Sequence, residues 1–161
     1  MEIQLRNFRC HRDKKYSLPE KGLVLLSGPS GRGKSSLLNS ISYALYGEIR
    51  RPYSHGAKEC RVKLEFQGMI IKRTSSPNRL KLSYDGVDYE DEPAQKMIDR
   101  ILGMNYREFL ASSYVIQRKS NSVLSMAPSE QNKFIETLAF SDNKHLEYKE
   151  KFKINVQARQ K

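Results

Sequence analysis

Gly28-Pro29-Ser30-Gly31-Arg32-Gly33-Lys34-Ser35 fills every fixed position of the pattern G-x-x-x-x-G-K-[ST], and its flanks decide how it folds. Before it stands the apolar run Leu23-Val24-Leu25-Leu26, which reads as a short, fully buried strand. After it, Leu37, Leu38, Ile41 and Leu45 recur at helical spacing from Lys34, and Gly47 supplies a C-terminal stop. Strand, glycine-rich loop and helix in that order predict a P-loop. In such a loop the backbone N–H groups turn inward toward phosphate oxygens, and the following helix adds its positive end. Ser30, Gly31, Arg32 and Gly33 form the wrap, Lys34 is placed to reach the β and γ phosphates of ATP, and Ser36 to bond an α phosphate. The Ser35 hydroxyl offers Mg²⁺ an oxygen ligand. A chance glycine-rich turn would not carry both flanks, yet the loop alone does not choose among kinases, GTPases and ABC ATPases.

Working outward, Ile3, Leu5 and Phe8 mark a first strand, and a turn over Pro19 to Gly22 leads into the apolar run. Beyond the helix, Val62, Leu64 and Phe66 alternate with Arg61, Lys63 and Glu65, and Leu80, Leu82 and Tyr84 alternate with Arg79, Lys81 and Ser83. This meander has one apolar face and one basic face. Asp85-Gly86 reads as its hairpin turn, since tight hairpins need positive φ. Met97, Ile98, Ile101 and Leu102 fit a helix after Pro93 that ends near Gly103, and Phe134, Ile135 and Leu138 fit another from Pro128. From about Lys144 the chain is rich in Glu and Lys, with Tyr148 and Phe152 on one helical face, as at the root of a long helix.

Composition narrows the class. At 161 residues the chain suits one domain, and a hydrophobic fraction of only 38% suggests a core that another segment completes. Cys10 and Cys60 lie far apart with no C-x-x-C spacing, which argues against a disulfide framework or zinc site and fits a reducing compartment. No apolar stretch approaches the roughly 18 residues of a membrane span, so an intracellular protein is expected. Residues 1–80 hold 16 Lys and Arg against 6 Asp and Glu, whereas residues 81–161 hold 13 against 12. The net charge of +11 is therefore concentrated in the first half, where it suits a phosphate-rich partner. Arg61, Lys63, Arg79 and Lys81, on the outward phase of the predicted strands, are the leading candidates for contacts to DNA phosphates. Lys72 and Arg73 join them, although the apolar pair Ile70-Ile71 before them leaves their phase open.

With these residues in hand, a family resemblance becomes specific. Asn7-Phe8-Arg9-Cys10-His11, then Leu23 to Leu26 and Gly28 to Ser36, continuing to Ala44-Leu45-Tyr46, resemble the opening of SbcC and its counterpart Rad-fifty. These are relatives of the SMC proteins and include the large subunits of phage recombination nucleases. A second block, Leu102-Gly103-Met104-Asn105-Tyr106-Arg107-Glu108-Phe109 followed by Tyr114-Val115-Ile116-Gln117, is similar to the segment entering the Q-loop of that family. Where the family usually has Asn, Ser and Gly, this chain has Ser30, Cys10 and Arg118.

The resemblance implies an α/β P-loop NTPase, the N-terminal half of an ABC-type ATPase head with a flanking antiparallel sheet. It implies a lobe over residues 1–140 and the root of a coiled-coil helix over 141–161. It also implies that Arg9 and the Cys10 backbone contact the nucleotide, that Ser54 and His55 approach its base and ribose, and that Gln117 ligates Mg²⁺ and orients the attacking water. The chain has neither four apolar residues followed by Asp-Glu nor Leu-Ser-Gly-Gly, the Walker B and signature motifs that this family carries in a C-terminal half. Expected partners are that half, a second head joined on ATP, an SbcD-like or Mre-eleven-like nuclease and double-stranded DNA. Such a protein works in the cytoplasm or nucleoid of a prokaryote or phage-infected cell, or in a nucleus. It turns over ATP only when complete, and the 161 residues alone are expected to be nearly inactive. Three rivals stand beside this reading. An SMC chromosome-organising ATPase shares the mechanism, whereas a guanylate-kinase-like phosphotransferase is echoed by Leu26-Ser27-Gly28-Pro29-Ser30-Gly31 and Asp85-Gly86-Val87-Asp88-Tyr89. A non-catalytic DNA-binding domain would leave the intact P-loop unexplained.

Overall fold

The computed structural model describes residues 1–115 and 127–139, and the chain divides into two compact units, Met1–Met104 and Asn105–Lys161. The first unit is a six-stranded, wholly antiparallel sheet with two helices on one face. In chain order its elements are β1 (Glu2–Phe8), β2 (His11–Ser17), α1 (Lys34–Tyr46), β3 (Arg61–Phe66), β4 (Met69–Ser75), β5 (Asn78–Tyr84), β6 (Val87–Glu90) and α2 (Asp91–Leu102). Spatially the strands run β2-β1-β3-β4-β5-β6. Each of the turns from β3 to β6 is a tight hairpin. Asp85 and Gly86 both take positive φ, 51° and 74°, the conformation whose twist matches a two-residue hairpin.

Alternation in the strands separates the two faces. Ile3, Leu5, Val62, Leu64, Met69, Ile71, Leu80 and Leu82 are all buried and build the core with Leu37, Tyr43, Ala44 and Leu45 of α1 and Ile98 of α2. The intervening residues Gln4, Arg6, Arg61, Lys63, Lys72, Thr74, Arg79 and Lys81 line the opposite face. Gly47 ends α1 in the left-handed conformation, φ 75°, and returns its N–H to the Tyr43 carbonyl at 2.8 Å.

Three sequence expectations change. The sheet holds two strands, β2 and β4, beyond those expected. β2, His-Arg-Asp-Lys-Lys-Tyr-Ser, buries only His11 and lies at the sheet edge, so it has no apolar alternation to announce it. The expected buried strand Leu23–Leu26 is absent: this stretch is neither helix nor strand, and Leu23 and Leu25 are 99% and 86% exposed. A buried strand needs neighbours for its backbone and cover on both faces, and the described residues provide neither. The third change concerns Arg73. It shares the inward phase of Met69 and Ile71, is 6% exposed, and cannot meet DNA on the outer face.

Arg73 instead closes the C-terminal end of α1. Its Nε donates to the Ala44 carbonyl at 3.1 Å, and one Nη donates to the Leu45 carbonyl at 3.1 Å and the Gln95 side-chain oxygen at 2.7 Å. The last carbonyls of a helix lack intrahelical partners and carry its negative end, so a buried guanidinium there is doubly favoured. Burial brings its pKa down to about 10, still well above neutrality, so the group stays charged.

In the second unit the described elements are α3 (Tyr106–Ser112) and α4 (Pro128–Ala139). Asn105 caps α3 through a capping box: its side-chain oxygen accepts from the Arg107 and Glu108 N–H groups, and Glu108 accepts from the Asn105 N–H at 2.7 Å. The Asn-x-x-Glu spacing is a readable helix start. α4 begins at Pro128 as expected. Gln117 and the root helix of 141–161 lie outside the described residues.

Candidate functional site

The P-loop leaves Leu26 and enters α1 through three glycines at positive φ: Gly28 at 141°, Gly31 at 79° and Gly33 at 91°. Gly33 is the position where glycine is indispensable. A Cβ there would sit 2.6 Å from Cys10 Sγ and 2.6 Å from His11 Cε1, in a conformation that L side chains rarely adopt. Gly33 is also the N-cap of α1, yet no side chain caps it and no acidic residue stands in the first turn. The helix N–H groups and their partial positive charge are thus left for an anion.

Lys34 folds back along the loop, its ammonium donating to the Gly28 and Pro29 carbonyls at 2.7 and 2.8 Å. The Ser35 side chain is exposed on the first turn of α1 and Ser36 is half-buried beside it. A pocket of about 320 Å³ opens here, lined among others by His11, Tyr16, Ser27, Arg32, Gly33 and Lys34. Glycine wraps, an uncapped helix start and a lysine within the loop are the donor set that phosphate requires, and the residues fit a nucleotide's phosphates. Among the described residues no cluster of three or more His, Cys, Asp or Glu could hold a metal, and the exposed Ser35 hydroxyl is an oxygen that the loop offers to a cation.

The tip of the β1–β2 hairpin brings two further expected residues to this place. Phe8 pairs with His11, leaving Arg9 and Cys10 as the turn, with Arg9 at φ 49°. Cys10 therefore lies against Gly33, while the Arg9 N–H is held by the Pro52 carbonyl at 2.8 Å and its side chain is exposed. The loop after α1 is tied to the same strand, for the Ser54 N–H donates to the Asn7 carbonyl at 2.7 Å. Ser54 is buried and its hydroxyl has no hydrogen-bond partner, whereas His55 is exposed. His11, quoted in the sequence only as part of a block, proves to be a contact of the loop itself.

On the far face of the sheet a groove of about 590 Å³ is lined by Gln4, Arg6, Asp13, Arg61, Lys63, Lys72, Thr74, Arg79 and Lys81, among others. Lys63, Lys72 and Lys81 stand directly opposite one another on adjacent strands, and Arg61, Thr74 and Arg79 form the next row. Like charges at such positions repel, so the row stabilises nothing within the sheet. Lys63 pairs with Glu65 and Lys81 with Glu90, both at the surface where such pairs contribute little. All four of the leading DNA candidates, together with Lys72, thus share one concave face.

Comparison with known proteins agrees with this geometry. Residues 2–161 match the AAA domain family. The chain is 36% identical over 118 residues to Uncharacterized protein 050L of Invertebrate iridescent virus 6, covering 70% of this chain and 11% of that protein. It is 30% identical over 151 residues to the DNA double-strand break repair Rad50 ATPase of Methanocaldococcus jannaschii, covering 86% and 15%. With the SbcC component of the nuclease SbcCD of Clostridium acetobutylicum it shares 26% over 147 residues, covering 75% and 13%. The chain thus spans 11% to 15% of the length of these relatives. A solved structure described under ATP-driven dimerization and DNA stimulated activation of SMC ATPases superposes with a TM-score of 0.60 at 20% identity, over 85% of this chain and 97% of that one. That likeness shows the fold, a P-loop ABC-type half-head. The chain belongs to the AAA domain family and is a homologue of the Rad50 and SbcC ATPases.

Proposed function

We propose that this chain is the ATP-binding half of an SMC-like ATPase head that acts on broken DNA and controls a partner nuclease. The observation that carries the reading is the loop Gly28–Ser35, whose positive-φ glycines and Lys34 meet at an uncapped helix start. MgATP, when bound, would supply the γ-phosphoryl group, which passes to an attacking water as ADP leaves. This chain's own residues do the holding: the backbone of residues 30–34 binds phosphate oxygens, and Lys34 exchanges its Gly28 and Pro29 carbonyls for phosphate. Ser35 offers its hydroxyl to the cation. Arg9 and Cys10, at the hairpin tip beside Gly33, face the nucleotide, and Ser54 and His55 belong to the loop tied to the same strand. Gln117 has the role of reporting on the metal and γ phosphate.

Two features support a head completed by other segments. Leu23 and Leu25 are almost wholly exposed beside the loop, as expected of an apolar run that becomes a strand only when a C-terminal half of the same protein pairs with it. No Walker B acid or signature motif occurs in the 161 residues, so hydrolysis needs that half and a second head. DNA binds through the basic groove, by phosphate contacts that carry no base preference. The resemblance to SbcC supports an SbcD-like nuclease as the partner, in the cell compartment that holds DNA.

The test is nucleotide binding by the full-length protein. Lys34→Ala is expected to abolish MgATP binding while leaving the melting temperature within a few degrees, because Lys34 is at the surface of the loop. Unchanged binding would remove the loop from its assigned role. The 161 residues alone are expected to show negligible turnover, and robust hydrolysis by this purified chain would contradict the half-head reading.

A further inference from the structure

His11 is 5% exposed, yet its ring faces the nucleotide loop rather than the apolar core. Its Nε2 lies 3.2 Å from the Gly33 carbonyl, and its Nδ1 lies 3.2 Å from the Tyr16 hydroxyl. A carbonyl only accepts, so Nε2 carries the proton and donates; in the neutral ring Nδ1 must then accept, and Tyr16 donates to it. Desolvation raises the Tyr16 pKa, so its phenol keeps the proton that this arrangement requires. The two rings meet edge to face at 5.6 Å, which fixes the imidazole plane as well as its tautomer.

The acceptor in this relay is the peptide between Gly33 and Lys34. The same carbonyl receives the Leu37 N–H at 2.9 Å, the first bond of α1. A trans peptide is planar, with C=O and N–H pointing in opposite directions. Anchoring the Gly33 oxygen therefore aims the Lys34 N–H the other way, out of the helix start and toward the loop interior. Gly33 itself has no side chain with which to hold this plane, and within the helix only the Leu37 N–H fixes its carbonyl. His11 supplies the constraint from outside the loop, and Tyr16, five residues further along β2, supplies the constraint on His11.

We propose that His11, oriented by Tyr16, is a positioning residue of the nucleotide site: it holds the Gly33–Lys34 peptide so that its N–H faces a bound phosphate. The inference rests on the reading of Gly28–Ser35 as that site and adds residues outside the motif to it. His11 acts through the peptide and touches no reacting atom.

The experiment exploits the two ring nitrogens. A glutamine amide nitrogen reaches about where Nε2 stands, whereas the shorter asparagine reaches only the Nδ1 position. MgATP affinity is measured calorimetrically on the full-length wild type, His11→Asn, His11→Gln and Tyr16→Phe, each with its melting temperature and its affinity for duplex DNA. A single lost hydrogen bond corresponds to roughly a two- to tenfold change in an equilibrium constant. His11→Asn is expected to weaken MgATP binding by about tenfold, His11→Gln to recover to within about twofold, and Tyr16→Phe to lose about threefold, with DNA affinity unchanged. A merely structural histidine would lower stability in both His11 variants and show no rescue by glutamine. Wild-type affinity in His11→Asn overturns the proposal, as does a His11→Gln as weak as His11→Asn. If His11→Asn does not fold, Tyr16→Phe decides, and wild-type MgATP affinity there overturns it. Failure of the wild type to bind MgATP would instead sink the reading of the loop.

Discussion

Charge reversal at Lys63 and Lys81 probes the basic face where its geometry permits a number. Lys63, Lys72 and Lys81 occupy one cross-strand row, and strands lie about 4.8 Å apart, so the row spans roughly 10 Å. One strand of a duplex places a phosphate about every 3.4 Å along the axis, so the row can meet about three phosphates. At a slope of about −0.9 per phosphate, the logarithm of affinity falls by about 2.7 per tenfold rise in salt. Between about 50 and 200 mM salt the ATP-bound head is then expected to lose about fortyfold in affinity. With Lys63→Glu and Lys81→Glu one cation of the row remains, the slope falls to about −0.9, and the same salt step costs only about threefold. The Glu65 and Glu90 partners of these lysines are at the surface and yield to phosphate at little cost. The assay is fluorescence anisotropy on duplexes of unrelated sequence, which should behave alike. A double variant that keeps both affinity and slope would refute the assignment and move the DNA surface elsewhere.

The remaining expectations concern the loop and its support. Gly33→Ala forces a left-handed alanine against Cys10 and His11, and is expected to weaken MgATP binding by about five- to thirtyfold through roughly 1–2 kcal/mol of backbone strain; wild-type titration curves would contradict this. Arg73→Met removes the donor to the Ala44 and Leu45 carbonyls at the end of α1, and is expected to cost about 3 kcal/mol in urea unfolding while sparing the DNA salt slope. A loss below about 1 kcal/mol would show that water or Gln95 replaces the guanidinium. Gln117→Ala should impair ATP-driven association of heads more than nucleotide affinity, as read by sedimentation with and without ATP; loss of affinity alone would argue against a sensing role.

Local chemistry was legible in the sequence. Gly28 to Ser35 declared the loop, the spacing of Leu37, Leu38, Ile41 and Leu45 the helix behind it, and Gly47 and Gly103 the ends of α1 and α2. The alternation of Val62 and Leu64 with Arg61 and Lys63, and of Leu80 and Leu82 with Arg79 and Lys81, put four cations on one face, where they stand. Each of these signals depends on the periodicity or φ preference of a few neighbouring residues. What depends on distant partners was not legible. β2 is a strand only because β1 pairs with it, and nothing in Arg-Asp-Lys-Lys shows that. The apolar run Leu23–Leu26 has strand chemistry without the neighbours that would make it a strand here. Arg73 carries the same charge as Lys72 beside it, and only the fold distinguishes them: Lys72 faces the groove, while Arg73 meets the carbonyls of a helix almost thirty residues earlier. His11 belongs to the same class. Its residue type offered an imidazole, but only the hairpin that sets it against Gly33 made that imidazole part of the site, because a hydrogen bond across 22 residues is made by tertiary packing and leaves no periodic trace in the chain.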